Sequence, residues 1–433
     1  MDYKKIIVQW KEFELPKLMP RDISINLAAD FIATITGPRR AGKTYLCFQL
    51  MNHLTSEGVS RENILYVNFE DEKLLGAEAK DMELLMDAFY ELSNLDKKQN
   101  IYLFFDEIQN VKDWDAWIRR IHDTQKNVKL ILTGSSSKML SREVSTKLRG
   151  RILNHEVFPL SFREYLSWKN APYNLKTLSE SKDRYEVKKQ YNEFLVGGGY
   201  PAVVLSQTPK EAILQSYYES MIFKDIVERH GIKDVKKLRL LANLLFELTS
   251  RELSYNKLAN KLKSLGFSTS KNTIIEHISH FEDAYLFFQN LKYDYSVTKQ
   301  LGSIKKLYCI DNGLLNAVSF KFAEDTGRLM ENLAYVELRR RGKRVYYYKN
   351  KAECDFLIQE KNKVVSAIQV TCTLNEENEK REINGLIEAM ENYKLDEGVI
   401  ITSDQEEERK IGCKTISLIP IWKWLLQSQK TSL

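Results

Sequence analysis

Long apolar runs are absent from this 433-residue chain. No stretch approaches the roughly 18 residues that a membrane span needs, so a membrane partner is not expected. Cysteine is sparse: Cys47, Cys309, Cys354, Cys372 and Cys413 are scattered, with no C-x-x-C pair. That spacing argues against a zinc ribbon or a disulfide scaffold and for a reducing, cytoplasmic setting. The start, MDYKKIIVQWKEFELP, has no apolar core followed by a small-residue cleavage site, which argues against secretion. A strong excess of one charge is missing too. A net charge of +6 permits nucleic-acid binding without demanding it, so local clusters must carry that argument. What is present, 43% hydrophobic and 29% charged residues, is the composition of a soluble globular chain. Its length suits roughly two to four domains.

The most informative segment is GPRRAGKT at residues 37–44, a full match to G-x-x-x-x-G-K-[ST]. Gly37 and Gly42 let the backbone curl until the amides of Gly37, Pro38, Arg39, Arg40, Ala41, Gly42, Lys43, Thr44 and Tyr45, proline apart, can surround a polyphosphate. Lys43 reaches its outer phosphates, and the Thr44 hydroxyl is placed to ligate Mg²⁺. The run FIATIT before the loop predicts a strand and TYLCFQLMNHL after it a helix, whose N-terminus favours an anion. ATP with Mg²⁺ is therefore the expected ligand.

A carboxylate must meet that Mg²⁺ from a neighbouring strand. IYLFFDEIQNV supplies it, since continuous apolar residues mark a fully buried parallel strand, here ending in Asp106 and Glu107. Asp106 is expected to hold the metal with Thr44, and Glu107 to orient or deprotonate the attacking water; the alternative is that both simply cap the next helix. A further strand, VKLILTG, ends in Thr133, Gly134 and Ser135, where a polar residue can sense the γ-phosphate as sensor 1 does in AAA-type ATPases. Ser135 is the candidate, and a turn with a serine N-cap is compatible with it. WDAWIRRIHD between these strands reads as an amphipathic helix, so the order β–α–β–α predicts an open, mostly parallel sheet. Arg149 and Arg151 flank Gly150 in LRGR and are candidates for an arginine finger, in cis or in trans, with Arg142 competing. A trans arginine would require a homo-oligomer.

GPRRAGKT, LFFDEIQNV, LTGSSSKMLSRE, LRGR and PLSFREYL together resemble a prokaryotic ATPase family that pairs an N-terminal AAA-type domain with a C-terminal domain of unknown function. The resemblance runs almost the length of the chain and implies kinship with archaeal ATPases and signalling NTPases. In the latter a Gly-x-Pro motif packs near the base, and Gly199-Tyr200-Pro201 looks similar, which makes Pro201 a candidate adenine contact. The alternative is a hinge.

Residues 176–192 read as an exposed helical segment. From residue 236 three helical stretches (236–250, 254–266 and 270–287) precede two strand-like segments joined by a polar, lysine-containing turn, a winged helix-turn-helix pattern. Lys271, Asn272 and Thr273 would lie at the exposed start of the recognition helix, and Lys292, Lys299, Lys305 and Lys306 on the wing. DNA contact and a structural coupler remain alternatives, because Glu276, His277, His280 and Glu282 share that helix.

Residues 327–376 resemble the PD-(D/E)xK nuclease core, with Glu331 on a helix, Asp355 entering a strand and Gln369 on the next strand. Thr371 stands where that pattern has lysine, so the charge needed for phosphodiester cleavage is missing and nuclease activity is not expected. Residues 339–351 interleave seven Arg and Lys residues with Tyr346, Tyr347 and Tyr348, a candidate nucleic-acid surface. The alternative is solvated arginine at a helix end plus tyrosines packing a sheet. NEENEKRE and DQEEERK read as solvated helix faces.

The expected architecture is α/β. A P-loop AAA-type parallel-sheet domain (1–168) leads into a helical lid or linker (169–232). A winged helix (233–322) and an inactive nuclease-like α/β domain (323–433) follow. The expected function is Mg-dependent ATP hydrolysis coupled to engagement of duplex or branched DNA. The alternative is a signalling or defence switch that controls assembly or a protein partner without DNA.

Overall fold

The computed structural model describes residues 1–136, 148, 150–178, 180–319 and 325–427. They form two compact units, Met1–Phe158 and Pro159–Leu433. Among the described residues no helix is long and apolar enough to cross a membrane.

The first unit is built on five parallel strands: β1 (Ile32–Thr36), β2 (Ile64–Asn68), β3 (Ile101–Asp106), β4 (Val128–Gly134) and β5 (Ile152–Glu156). They run in the order β2-β3-β4-β1-β5. β1 and β3 are buried at every position, which is why they read as continuous apolar sequence. The helix Trp114–Thr124 turns Trp117, Ile118 and Ile121 inward, as its amphipathic pattern predicts. Parallel pairing brings the C-terminal ends of all five strands to one edge, with Asn68 beside Asp106 and Thr36 between Gly134 and Glu156.

In the second unit the helix Phe162–Trp168, from the PLSFREYL segment, starts with a Ser161–Glu164 capping box. Its Phe162 packs on Tyr191 and Phe194, so this segment lies past the end of the first unit and before the boundary expected at 168. Tyr191 and Phe194 belong to the helix Asp183–Gly197, which also buries Val187 and Leu195 and is therefore amphipathic rather than fully exposed.

Next come the helix Val235–Glu247, β6 (Arg251–Leu253), the helices Tyr255–Ser264 and Lys271–Asp283, β7 (Phe287–Asn290) and β8 (Lys305–Cys309). The three strands form an antiparallel sheet in the order β6-β8-β7. Ser254 and Ser270 cap their helices by accepting the backbone N–H of Lys257 and Thr273. Between β7 and β8 the chain forms the short helix Val297–Gly302 rather than a plain turn.

A six-stranded sheet completes this unit: β9 (Arg344–Lys349), β10 (Glu353–Glu360), β11 (Lys363–Val370), β12 (Glu397–Thr402), β13 (Glu407–Ile411) and β14 (Lys414–Pro420). Its order is β13-β14-β12-β11-β10-β9. The run DQEEERK, expected as a helix face, instead enters β13, an edge strand whose charges discourage further pairing. NEENEKRE leads into the helix Glu379–Tyr393, but its Glu382 is buried.

Candidate functional site

At the C-terminal edge of the first sheet, residues 37–44 turn from β1 into the helix Lys43–Ser56, with Gly42 as N-cap. Gly37 has φ +153°, and a Cβ there would stand 2.1 Å from the Val157 carbonyl oxygen, so only glycine fits against the chain leaving β5. Arg21 braces the same loop. Its buried guanidinium donates to the carbonyls of Ala41 (2.7 Å) and Phe158 (2.9 Å). The Lys43 ammonium lies 3.1 and 3.2 Å from the carbonyls of Gly37 and Pro38 and 3.6 Å from the Glu107 carboxylate. Arg39 pairs with Glu70 at 2.7 Å. Pro38 and Ala41 are buried, whereas Arg40 and Tyr45 face solvent.

Asp106, at the end of β3, is the polar centre of this edge. Its Oδ2 accepts the hydroxyls of Thr44 (2.7 Å) and Tyr66 (2.8 Å), and its Oδ1 accepts Thr133. Burial, reinforced by the adjacent Glu107, raises the Asp106 pKa above the usual carboxylate value against these three donors. A buried carboxylate beside a hydroxyl is a donor set suited to a hard cation, whose charge would offset that burial. Thr133 also accepts the Glu107 backbone N–H at 2.9 Å, so one hydroxyl joins both acidic residues. Glu107 itself has φ +52°, outside the ordinary region for a side-chain-bearing residue, and its carboxylate accepts from Gln109. Ser135, the expected sensor, is fully buried one residue beyond the end of β4; the contact with Asp106 is made by Thr133.

Arg151 precedes β5 at the N-terminal edge of the sheet, because Ile152 pairs with Ile32. The loop begins at the opposite end of β1, a strand length of about 13 Å away at ~3.3 Å per residue. Arg151 forms a bidentate pair with Asp123 (2.7 and 3.0 Å). A cis role at the loop is therefore corrected: the strand register rules it out for Arg151. Arg149 and Arg142 lie outside the described residues. Pro201 opens the short helix Pro201–Leu205 of the second unit. The close backbone approach expected of its glycines is made within that unit: a Cβ on Gly198 (φ +72°) would meet the Asp311 carboxylate at 2.1 Å, and Gly199 N–H donates to Asp311 at 2.7 Å.

Glu331 and Asp355 gather, together with Glu353, around a lysine from another strand. Lys306 of β8, expected on the surface of a wing, is 4% exposed and lies 2.8 Å from Asp355, 2.8 Å from Glu353 and 3.2 Å from Glu331. Burial opposes its charge, but the Asp355 and Glu331 carboxylates outweigh it and hold its pKa well above the usual value. Burial pushes the Glu331 carboxyl above its usual range in spite of Lys306. Gln369 accepts the Asp355 N–H and donates to Glu382 at 2.6 Å. Thr371 is hydrogen-bonded with Asn378 and the Thr373 carbonyl, each at 3.4 Å.

The basic-aromatic stretch 339–351 is largely committed to internal contacts. Arg340 and Arg341 pair with Glu337, Lys343 with Glu360, and Lys349 with Glu252 and Glu353. Tyr347 and Tyr348 are buried.

Residues 29–166 match the family model of an AAA domain, while residues 188–325 and 326–424 match two domains of unknown function, DUF8612 and DUF4143. Uncharacterized protein MJ1544 of Methanocaldococcus jannaschii is 39% identical over 424 residues, spanning 95% of this chain and 91% of that protein. The chain belongs to the MJ1544 family. A Haemophilus influenzae protein is 33% identical over 92% of this chain and 95% of its own length. Among solved structures, the Walker-type ATPase PABY2304 of Pyrococcus abyssi is similar at 13% identity and a TM-score of 0.43, covering 66% of this chain and 90% of that one.

In this member of the MJ1544 family the AAA domain brings together Lys43, Thr44, Asp106 and Glu107. Sequence reasoning missed Arg21 and Tyr66. Arg21 carries no local signal, since its partners are 20 and 137 residues away. Tyr66 could have been found from the parallel register that sets β2 beside β3.

Proposed function

We propose that this chain is a Mg-dependent ATP hydrolase that couples turnover in its AAA domain to DNA engagement by its second unit. The observation that carries the hydrolase reading is the 2.7 Å contact between the Thr44 hydroxyl and the Asp106 carboxylate, beside the Lys43 ammonium. Loop amides and the N-terminus of the helix Lys43–Ser56 favour the triphosphate, and Lys43 exchanges its loop carbonyls for phosphate oxygens. Thr44 and Asp106 would hold Mg²⁺, which when bound neutralises charge on the phosphate oxygens. As Lys43 turns to phosphate, the Glu107 carboxylate loses an ion-pair partner and becomes the base that accepts a proton from water. Thr133, bound to Asp106 and to the Glu107 backbone, keeps both in register. Ser135 is the neighbouring candidate for sensing phosphate. Arg149 and Arg142 stay candidates for an arginine finger in cis or in trans, and a trans finger would require an oligomer.

DNA engagement is supported by the helix–strand–helix–helix–strand–helix–strand order of residues 235–309, which resembles a winged helix-turn-helix with the short helix Val297–Gly302 between its last two strands. Lys257, Lys263 and Lys271 are exposed on its second and third helices. The rival reading, a switch acting on a protein partner, is favoured by one observation: in the densest basic stretch, 339–351, Arg340, Arg341, Lys343 and Lys349 are paired with this chain's own carboxylates.

The test is the ATPase rate with and without linear, plasmid and branched DNA, with Lys43→Ala as control. Stimulation together with salt-sensitive DNA binding is the expected result. ATP turnover without either would leave the hydrolase and sink the DNA reading; no Lys43-dependent turnover would sink both.

A further inference from the structure

The carboxylates of Glu331, Glu353 and Asp355 converge on one point, and a cation already stands there. They come from two elements, the helix Thr326–Arg340 and β10, on which Glu353 and Asp355 are two residues apart and so share a face. Lys306 reaches them from β8 of the other sheet. Its ammonium lies within 3.2 Å of all three, and the group opens to solvent chiefly at Glu353, whose side chain is 34% exposed. Three converging carboxylates are the donor set of a hard divalent cation such as Mn²⁺ or Mg²⁺. Most of their oxygens already have partners, however. Asp355 Oδ1 accepts from Lys306 and Oδ2 accepts the Val370 N–H at 3.0 Å. Glu331 Oε1 accepts from Lys306 and from the Tyr308 hydroxyl at 2.7 Å. A divalent ion at this point would have to displace the ammonium.

We propose that Lys306 is a built-in cation that closes the Glu331–Glu353–Asp355 site to divalent metal and, by the same contacts, fastens the three-stranded sheet to the six-stranded one. The lysine that Thr371 lacks is thus present in space, but it stands where metal would bind rather than beside it. This inference does not depend on the ATPase reading.

The experiment is Mn²⁺ titration of the nucleotide-free full chain, read by the loss of the free-Mn²⁺ electron paramagnetic resonance signal. Wild type should show no Mn²⁺ binding that depends on Asp355. Lys306→Ala should gain one Mn²⁺ with at least tenfold tighter affinity than wild type, and adding Asp355→Asn should remove it; this comparison separates the site from any ion held at Asp106. Asp355-dependent binding by wild type, or a folded Lys306→Ala protein that binds no better than wild type, overturns the proposal. Should Lys306→Ala fail to fold, Lys306→Ala with Glu331→Gln removes one charge of each sign and keeps Glu353 and Asp355. If that protein folds and gains no Mn²⁺ site, the proposal fails equally.

Discussion

Two lysines, each among acidic residues, serve opposite purposes in this chain. Lys43 opens the helix that follows the loop, held by two main-chain carbonyls and by one carboxylate at 3.6 Å. Lys306 lies on a strand, enclosed by three carboxylates from 2.8 to 3.2 Å. Main-chain carbonyls are weak competitors for an ammonium, so Lys43 can transfer to a phosphate when one arrives. Three buried carboxylates are not weak competitors, and releasing Lys306 leaves like charges facing one another. Chemistry belongs to the site whose cation can change partners; cohesion belongs to the site whose cation cannot.

The comparison can be broken in four places, taken from the largest effect down. Replacing Asp106 by Asn removes the carboxylate proposed to hold Mg²⁺ and should lower ATP turnover by about 10³-fold, on the order of 4 kcal/mol, measured as phosphate release. Lys306→Ala should instead leave its three acids uncompensated and destabilise the second unit by about 3–5 kcal/mol, read by urea unfolding; an unchanged midpoint would mean that Lys306 is not a fastener. Thr133→Val removes one donor to buried Asp106 and to the backbone link with Glu107, a loss of roughly 1–3 kcal/mol. A fall in turnover of about tenfold, with the fold intact by circular dichroism, is the expected result. The smallest effect belongs to the surface. Lys257→Ala, Lys263→Ala and Lys271→Ala should each flatten the salt dependence of DNA binding by about one phosphate contact, whereas Lys343→Ala, which loses only an internal pair with Glu360, should not.

The first site was legible because its chemistry is local. A glycine-lysine loop sits between a strand and a helix, and an apolar strand ends in two acids, so residue order alone places Thr44 beside Asp106. Arg21 escaped because it acts on residues 41 and 158 from a segment with no regular pattern. Ser135 and Thr133 were separated by a single alternation that the burial of β4 at nearly every position conceals. Lys306 was misread because adjacent lysines between polar residues resemble a solvated wing. Its partners lie 25, 47 and 49 residues away, on elements whose convergence no local pattern reveals. The run 404–410 was misread as a helix face for a related reason, since its charges suit an edge strand equally well.

The most direct test is Mg-dependent ATP turnover by the full chain, wild type against Glu107→Gln, with ATP affinity measured on the same samples. The account predicts that the variant binds ATP as tightly as wild type and turns it over about 10²–10⁴-fold more slowly, the range lost with a general base. Equal turnover by the two proteins would contradict it.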